Sequence, residues 1–199
     1  MNEVERALRS AEPAPGAIED AVAGLIRRAE AGVDLAYGTV DSPVGSLLVA
    51  VSSRGLVRVS YETEDEDRVL EELAGLISPR ILRSTGRTDD VRRELEQYFE
   101  GDRRRFDVPV DWALTTGFFR KVLRATARIP YGQVRTYTEM ATRAGSPRAY
   151  RAAGNALHSN PIPIVVPCHR VVHADGGLAG YGGGIERKEY LLTLEGALD

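Results

Sequence analysis
The sequence predicts an α+β protein, with a small antiparallel sheet first and a mostly helical second half. Three observations carry this. Residues 35–61, LAYGTVDSPVGSLLVAVSSRGLVRVSY, alternate in polarity and break at SPVG and SSRG, the pattern of a three-stranded meander. From residue 65 onward the alternation gives way to helical spacing. With 43% apolar and 28% charged residues, and no apolar run near about 18 positions, the chain reads as globular without a membrane-spanning helix.

Taken in order, residues 1–34 read as an N-terminal extension expected to be helical. Within it GAIEDAVAGLIRRAEAG sets Ile18, Val22, Leu25 and Ile26 on one face and ends in glycine. The meander opens a unit of residues 35–112, and the helical stretches DEDRVLEELAGLI and TDDVRRELEQYFEG follow its strands. The connector FDVPVDW, with its proline and two aspartates, is expected to separate that unit from residues 113–199. There GFFRKVLRATARIP places Phe118, Phe119, Val122, Leu123 and Ala127 at helical spacing, stopped by Pro130 and Gly132. In TYTEMATRAG, Thr136 and Glu139 have the spacing of a capping box, and Gly145 ends the helix. Ser146 is then an N-cap candidate, with Pro147 in a first turn where its missing N–H costs nothing.

Two short helices about a glycine turn make a helix-turn-helix, whose second member usually enters nucleic acid. Here that member carries Arg148 and Arg151 among Ala149, Ala152, Ala153, Gly154 and Ala156. Small residues let a backbone approach a partner closely, and arginines serve phosphates and stacked bases. Tight contact with another helix would suit the same face. Charge is divided the same way: residues 1–115 carry 15 Lys/Arg against 23 Asp/Glu, and residues 116–199 carry 11 against 6. A polyanion would therefore choose the second half.

PIPIVVPCHRVVH holds the only cysteine, Cys168. One thiol makes no internal disulfide and no multi-cysteine zinc site, which points to a reducing cytoplasm. The charged start, MNEVERALRSAEPAPG, lacks the apolar segment of a signal peptide. IPIVVP reads as a buried strand delivering Cys168 at its end. A free thiol is only a few per cent ionised at neutral pH, so a nucleophilic role needs a base or a positive charge, and His169 and Arg170 adjoin it. Neighbours on a regular strand face opposite ways, so a turn after Pro167 or a bridging water is expected between thiol and imidazole. Glu195, in the closing helical segment IERKEYLLTLEG, is one of several carboxylates that could orient the ring. Other readings of these residues are a buried core thiol, a metal site drawing on His158, Cys168, His169 and His173, and a cysteine hydrolase triad.

NPIPIVVPCHRVV followed by DGGLAGYGGGIERKEYLLTLEG resembles the O6-alkylguanine-DNA alkyltransferases, closely over residues 116–199 and more loosely over 35–115. The resemblance implies a ribonuclease H-like N-terminal sheet domain and a C-terminal domain with helix-turn-helix and wing. It implies a monomer acting on double-stranded DNA through the minor groove, without cofactor, metal or membrane. In such proteins an alkyl group passes from O6 of guanine, with O4 of thymine a further candidate, to a cysteine once per molecule. By resemblance Cys168 is the acceptor, His169 its base through a water, Glu195 the carboxylate holding the histidine, and Asn160 the brace of the turn. Tyr137, Leu157, Val171, Tyr181, Gly182 and Gly183 would line the pocket for an extruded base. Arg151 would fill the gap left in the duplex, with Tyr137, Ala152, Gly154, Asn155 and Ser146 on the DNA face. Relatives that bind lesions without transfer lack the cysteine, and this chain has it.

Overall fold
The computed structural model describes residues 16, 20–25, 32–178 and 180–198. The chain forms two compact units, Met1–Val33 and Asp34–Asp199. In the first, residues 20–25 are helical, with Val22 and Leu25 exposed. Ile18, Ile26 and the rest of the expected helix lie outside the described residues.

The second unit begins with the expected meander, β1 (Leu35–Val40), β2 (Leu47–Ser52) and β3 (Gly55–Tyr61), in which Leu35 faces Ser52 and Leu47 faces Tyr61. A strand that the sequence does not announce, β4 (Ile81–Arg83), joins β1 in parallel, giving the order β3-β2-β1-β4. Three residues between helices are too few to show a period. Strand alternation divides the core. Leu48 and Ala50 face α1 (Glu66–Leu76) through Val69 and Leu73, whereas Leu47, Val49 and Val51 face α2 (Thr85–Phe99) through Val91, Leu95 and Tyr98. Each Val or Leu so buried stabilises the fold by about 1.5–3 kcal/mol. Asp65 caps α1 and Ser84 caps α2, each accepting from the amide three residues on.

The connector is stitched down. Leu56 N–H donates to Pro109 O and Asp111 N–H to Leu56 O, both at 2.8 Å, so FDVPVDW runs beside β3. At Gly55, with φ +128°, a Cβ would stand 2.1 Å from that Pro109 oxygen. Residues 35–112 and 113–199 therefore share one compact unit.

In the second half α3 (Gly117–Thr126) buries Val122, Leu123, Ala125 and Thr126. Phe119, expected on that face, is instead 39% exposed, and Ala127 is the C-cap beyond the last turn. The capping box forms at the start of α4 (Tyr137–Arg143): Thr136 Oγ1 accepts from Glu139 N–H at 3.2 Å, and Glu139 Oε2 from Thr136 N–H at 2.7 Å. After Gly145 (φ +87°) the chain makes one more turn, Ala149 N–H donating to Ser146 O, before α5 (Tyr150–His158) begins with Ala149 as N-cap. Ser146 is thus the first residue of a turn and not a helix cap. Strands β5 (Arg135–Thr136) and β6 (Val171–Val172) pair in parallel. Where a wing was expected, His173–Gly177 close a tight loop, and α6 (Ile185–Leu194) follows. No helix of the described residues is long and apolar enough to cross a membrane.

Candidate active site
The expected strand IPIVVP is not a strand. Pro161 just before it and its own prolines at 163 and 167 lack donors, and the segment folds as consecutive tight turns. Val165 N–H donates to Pro163 O, Val166 N–H to Ile162 O, and Cys168 N–H to Val166 O. Ile164, at the centre of the first turn, has φ +71°, a strained value for a β-branched residue, and is fully buried. The apolar run therefore reflects burial without pairing. Asn160 supplies what a neighbouring strand would have: its Nδ2 donates to Val166 O at 2.8 Å, and its Oδ1 accepts from Ile162 N–H at 3.1 Å. The same Nδ2 lies 3.1 Å from Cys168 Sγ.

Cys168–Arg170 form a single 3₁₀ turn, so the thiol and the imidazole leave the backbone in directions a strand would not allow. His169 is fully buried, and its Nε2 lies 2.9 Å from Glu195 Oε1. Glu195, which caps α6, is a hub. Oε1 also accepts from Tyr98 O–H at 2.6 Å and Arg170 Nη2 at 2.8 Å; Oε2 accepts from Arg170 Nε at 2.8 Å and Gly132 N–H at 3.3 Å. Burial alone would raise this carboxyl, but the His169 and Arg170 bonds outweigh it and hold it down at about 2. An ionised Glu195 only accepts, so Nε2 carries the ring proton and Nδ1 offers its lone pair. That Nδ1 is buried and has no partner among the described residues. Burial pushes the His169 pKa down, against Glu195, and keeps the ring neutral.

Burial likewise pushes the Cys168 thiol up, while hydrogen bonds from Asn160 and Tyr181 and the charge of Lys188 act against it. Lys188 is fully buried; its Nζ donates to Val171 O at 2.6 Å and to Leu178 O. Burial brings it down to about 8. Cys168 is 6% exposed and lies in the wall of a cavity of about 350 Å³. Leu157, Tyr181, Gly182 and Gly183 line it, together with Asn160 and, from the sheet side, Arg58, Tyr61, Glu64 and Glu72. Val171 does not; its side chain is in the core and its carbonyl is held by Lys188. Tyr137, expected in the same lining, is not among the residues that form it: it begins α4, half-buried, 5.5 Å ring to ring from His173 and against the open side of Gly154. On α5 Arg151 and Asn155, one turn apart, are exposed, Ala152 and Gly154 half-buried, and Ala153, Ala156 and Leu157 face the core. Among the described residues, no group of three or more His, Cys, Asp or Glu could hold a metal ion; His158 and His173 stand apart from the His169–Glu195 pair.

Two family models match this chain: the 6-O-methylguanine DNA methyltransferase DNA binding domain over residues 117–197, and the ribonuclease-like domain of the same proteins over residues 35–112. The chain belongs to the 6-O-methylguanine DNA methyltransferase family. Among family members, a methylated-DNA–protein-cysteine methyltransferase of Methanosarcina barkeri is 38% identical over 159 residues, covering 80% of this chain and 96% of that protein. One from Mycobacterium tuberculosis is 41% identical over 159 residues, covering 80% and 91%. The crystal structure of Mycobacterium tuberculosis O6-methylguanine methyltransferase superposes with a TM-score of 0.70 at 38% identity, covering 83% of this chain and 94% of that one. A structure of Mycobacterium tuberculosis OGT in complex with DNA gives 0.70 at 39% identity, covering 81% and 93%. The α+β architecture expected from the sequence is that of this family.

Three residues of the site are not evident in the motif. Tyr98 and Tyr61 come from the first half, and no local pattern ties them to Cys168. Lys188 is one of only 2 Lys beside 24 Arg, but the other, Lys121, is exposed on α3, so scarcity alone does not single out the site.

Proposed function
We propose that the protein repairs alkylated DNA by moving an alkyl group from O6 of guanine to Sγ of Cys168, once per molecule, as a monomer and without cofactor. The observation that carries this is a lone thiol in a cavity wall, hydrogen-bonded by Asn160, with the buried His169–Glu195 pair beginning at the next residue. O6 lies inside the stacked duplex, so the nucleotide has to be extruded at a cost of a few kcal/mol. In this reading the helix-turn-helix of α4 and α5 enters the minor groove, Arg151 occupies the space the base leaves, and Tyr137 crowds the phosphate of the extruded nucleotide.

In the pocket the thiol proton passes through a water to His169 Nδ1, and the ionised Glu195 stabilises the imidazolium that forms. The thiolate attacks the alkyl carbon; the S–C bond forms as the C–O6 bond breaks, and the electron pair leaves on the guanine. A proton donated by Tyr137 at a ring nitrogen neutralises that charge. A thioether is a poor leaving group, so nothing regenerates the thiol. O4-methylthymine is the second donor to be tried in the same assay.

Intact-protein mass spectrometry after mixing with an O6-methylguanine duplex tests this. A gain of about 14 Da, stoichiometric and confined to Cys168, is expected, with none for Cys168→Ala. Unmodified wild-type protein after the reaction would refute transfer and leave lesion binding. Multiple turnovers on an ester or peptide, indifferent to DNA, would favour a hydrolase.

A further inference from the structure
Two buried tyrosines lead from the sheet of the first half to the cavity wall that holds the sulfur. Tyr181 and Cys168 line the same cavity, and hydrogen bonding from Tyr181 works against the rise in the thiol's pKa; the Tyr181 hydroxyl oxygen lies 2.7 Å from that of Tyr61, the last residue of β3. The two rings meet edge to face at 6.2 Å. A phenol has one proton to donate and lone pairs to accept with. Burial holds both tyrosines well above the ordinary phenol value, so both keep their protons while the thiol titrates. A thiolate can only accept. When it forms, Tyr181 donates to sulfur, and the contact between the phenols is completed by Tyr61 donating to Tyr181.

The position of Tyr61 is built. Its side chain is 4% exposed. The Arg187 guanidinium stacks 5.0 Å above its ring and donates to Val44 O at 2.7 Å, Gly183 O at 2.9 Å and Glu62 Oε1 at 3.2 Å. The pocket loop comes so near that a Cβ on Gly183 would stand 2.4 Å from the Tyr61 ring. Tyr61 thus reaches the pocket on a rigid strand and is fixed there.

We propose that Tyr61 is a positioning residue for the nucleophile: its hydroxyl orients and polarises Tyr181 so that Tyr181 donates to the sulfur of Cys168. This rests on Cys168 being the alkyl acceptor. Chains of hydrogen bonds strengthen one another in a low-dielectric interior. Loss of the outer bond should weaken the inner one and make the thiolate harder to form, with little change once the thiol is fully ionised.

The test is the pH dependence of the single-turnover rate with an O6-methylguanine duplex. In Tyr61→Phe, which keeps the ring and its stacking, the midpoint should rise by about 0.5 pH unit and the rate at neutral pH fall about threefold, with the alkaline plateau retained. Tyr181→Phe should shift the midpoint at least as far, and adding Tyr61→Phe to it should bring no further shift. An unmoved midpoint in either single variant overturns the proposal, as do a loss confined to the plateau and additive shifts in the double variant. Wild-type protein that gains no alkyl mass would instead overturn the transfer reading itself, so the two failures are distinct.

Discussion

At the scale of single residues the site is governed by Glu195, which serves His169, Arg170, Tyr98 and the Gly132 amide with two oxygens. Its charge is what makes Nδ1 the basic nitrogen of His169, and it neutralises Arg170, whose side chain is 7% exposed. Glu195→Gln keeps the shape and removes the charge, leaving a buried guanidinium without its counter-ion. Such losses cost about 3–5 kcal/mol, which urea unfolding at neutral pH should register alongside a fall in transfer rate. The pH dependence has a definite sign. The carboxyl is held at about 2 in the fold, against an ordinary value of 4.5. It therefore binds a proton more readily unfolded than folded, and its contribution is complete above about pH 4.5 and lost as pH falls toward 2. Melting temperatures measured across that window should drop more steeply for wild type than for Glu195→Gln; parallel curves would refute the assignment.

At the scale of elements, α5 and the turn after it divide the labour. Ala153, Ala156 and Leu157 anchor the helix in the core, while Arg151 and Asn155 are left outward. Arg151 makes no ion pair or hydrogen bond among the described residues, and its guanidinium stands 5.7 Å from the centre of the Tyr150 ring, so Arg151→Ala should leave stability within about 0.5 kcal/mol of wild type. It should slow transfer from duplex DNA by tenfold or more and transfer from the free base O6-methylguanine hardly at all; equal losses on both donors would remove its gap-filling role. These elements also show what a linear chain discloses. The meander, the capping box of Thr136 and Glu139 and the Cys168-His169-Arg170 run are local patterns, and they stand in the structure where the sequence places them. The segment from Pro161 to Pro167 misleads because β-branched burial looks alike whether or not a strand is paired, and only the spacing of the prolines speaks against pairing. Ser146 misleads in a similar way: a good cap residue also begins a good turn, and Gly145 leaves room for one more turn before the helix. Tyr61, Tyr98 and β4 are invisible because each acts through a contact distant in sequence.

At the scale of the whole molecule, the acidic first half is more than a support for the basic second half. Tyr98 O–H reaches Glu195, Tyr61 reaches Tyr181, Val59 N–H donates to Pro161 O, and Arg187 donates to Val44 O and Glu62. One apolar cluster runs from Ala36 and Val49 on the sheet through Leu95 and Tyr98 to Val122, Ile164 and Leu191. With buried polar bonds and a shared core crossing between the halves, neither can open without exposing the other. Asp34–Asp199 should therefore unfold as one cooperative unit despite being matched by two family models. Native-state amide exchange tests this at Val49, central in β2, and Leu123, in α3, both buried and in that cluster. The two amides should open with free energies equal within about 0.5 kcal/mol and fall together as urea is added. A Leu123 amide that exchanges through a separate, lower-energy opening would mean that the helical half unfolds independently, and the contacts of Tyr61 and Tyr98 with the site would then be too weak to hold it.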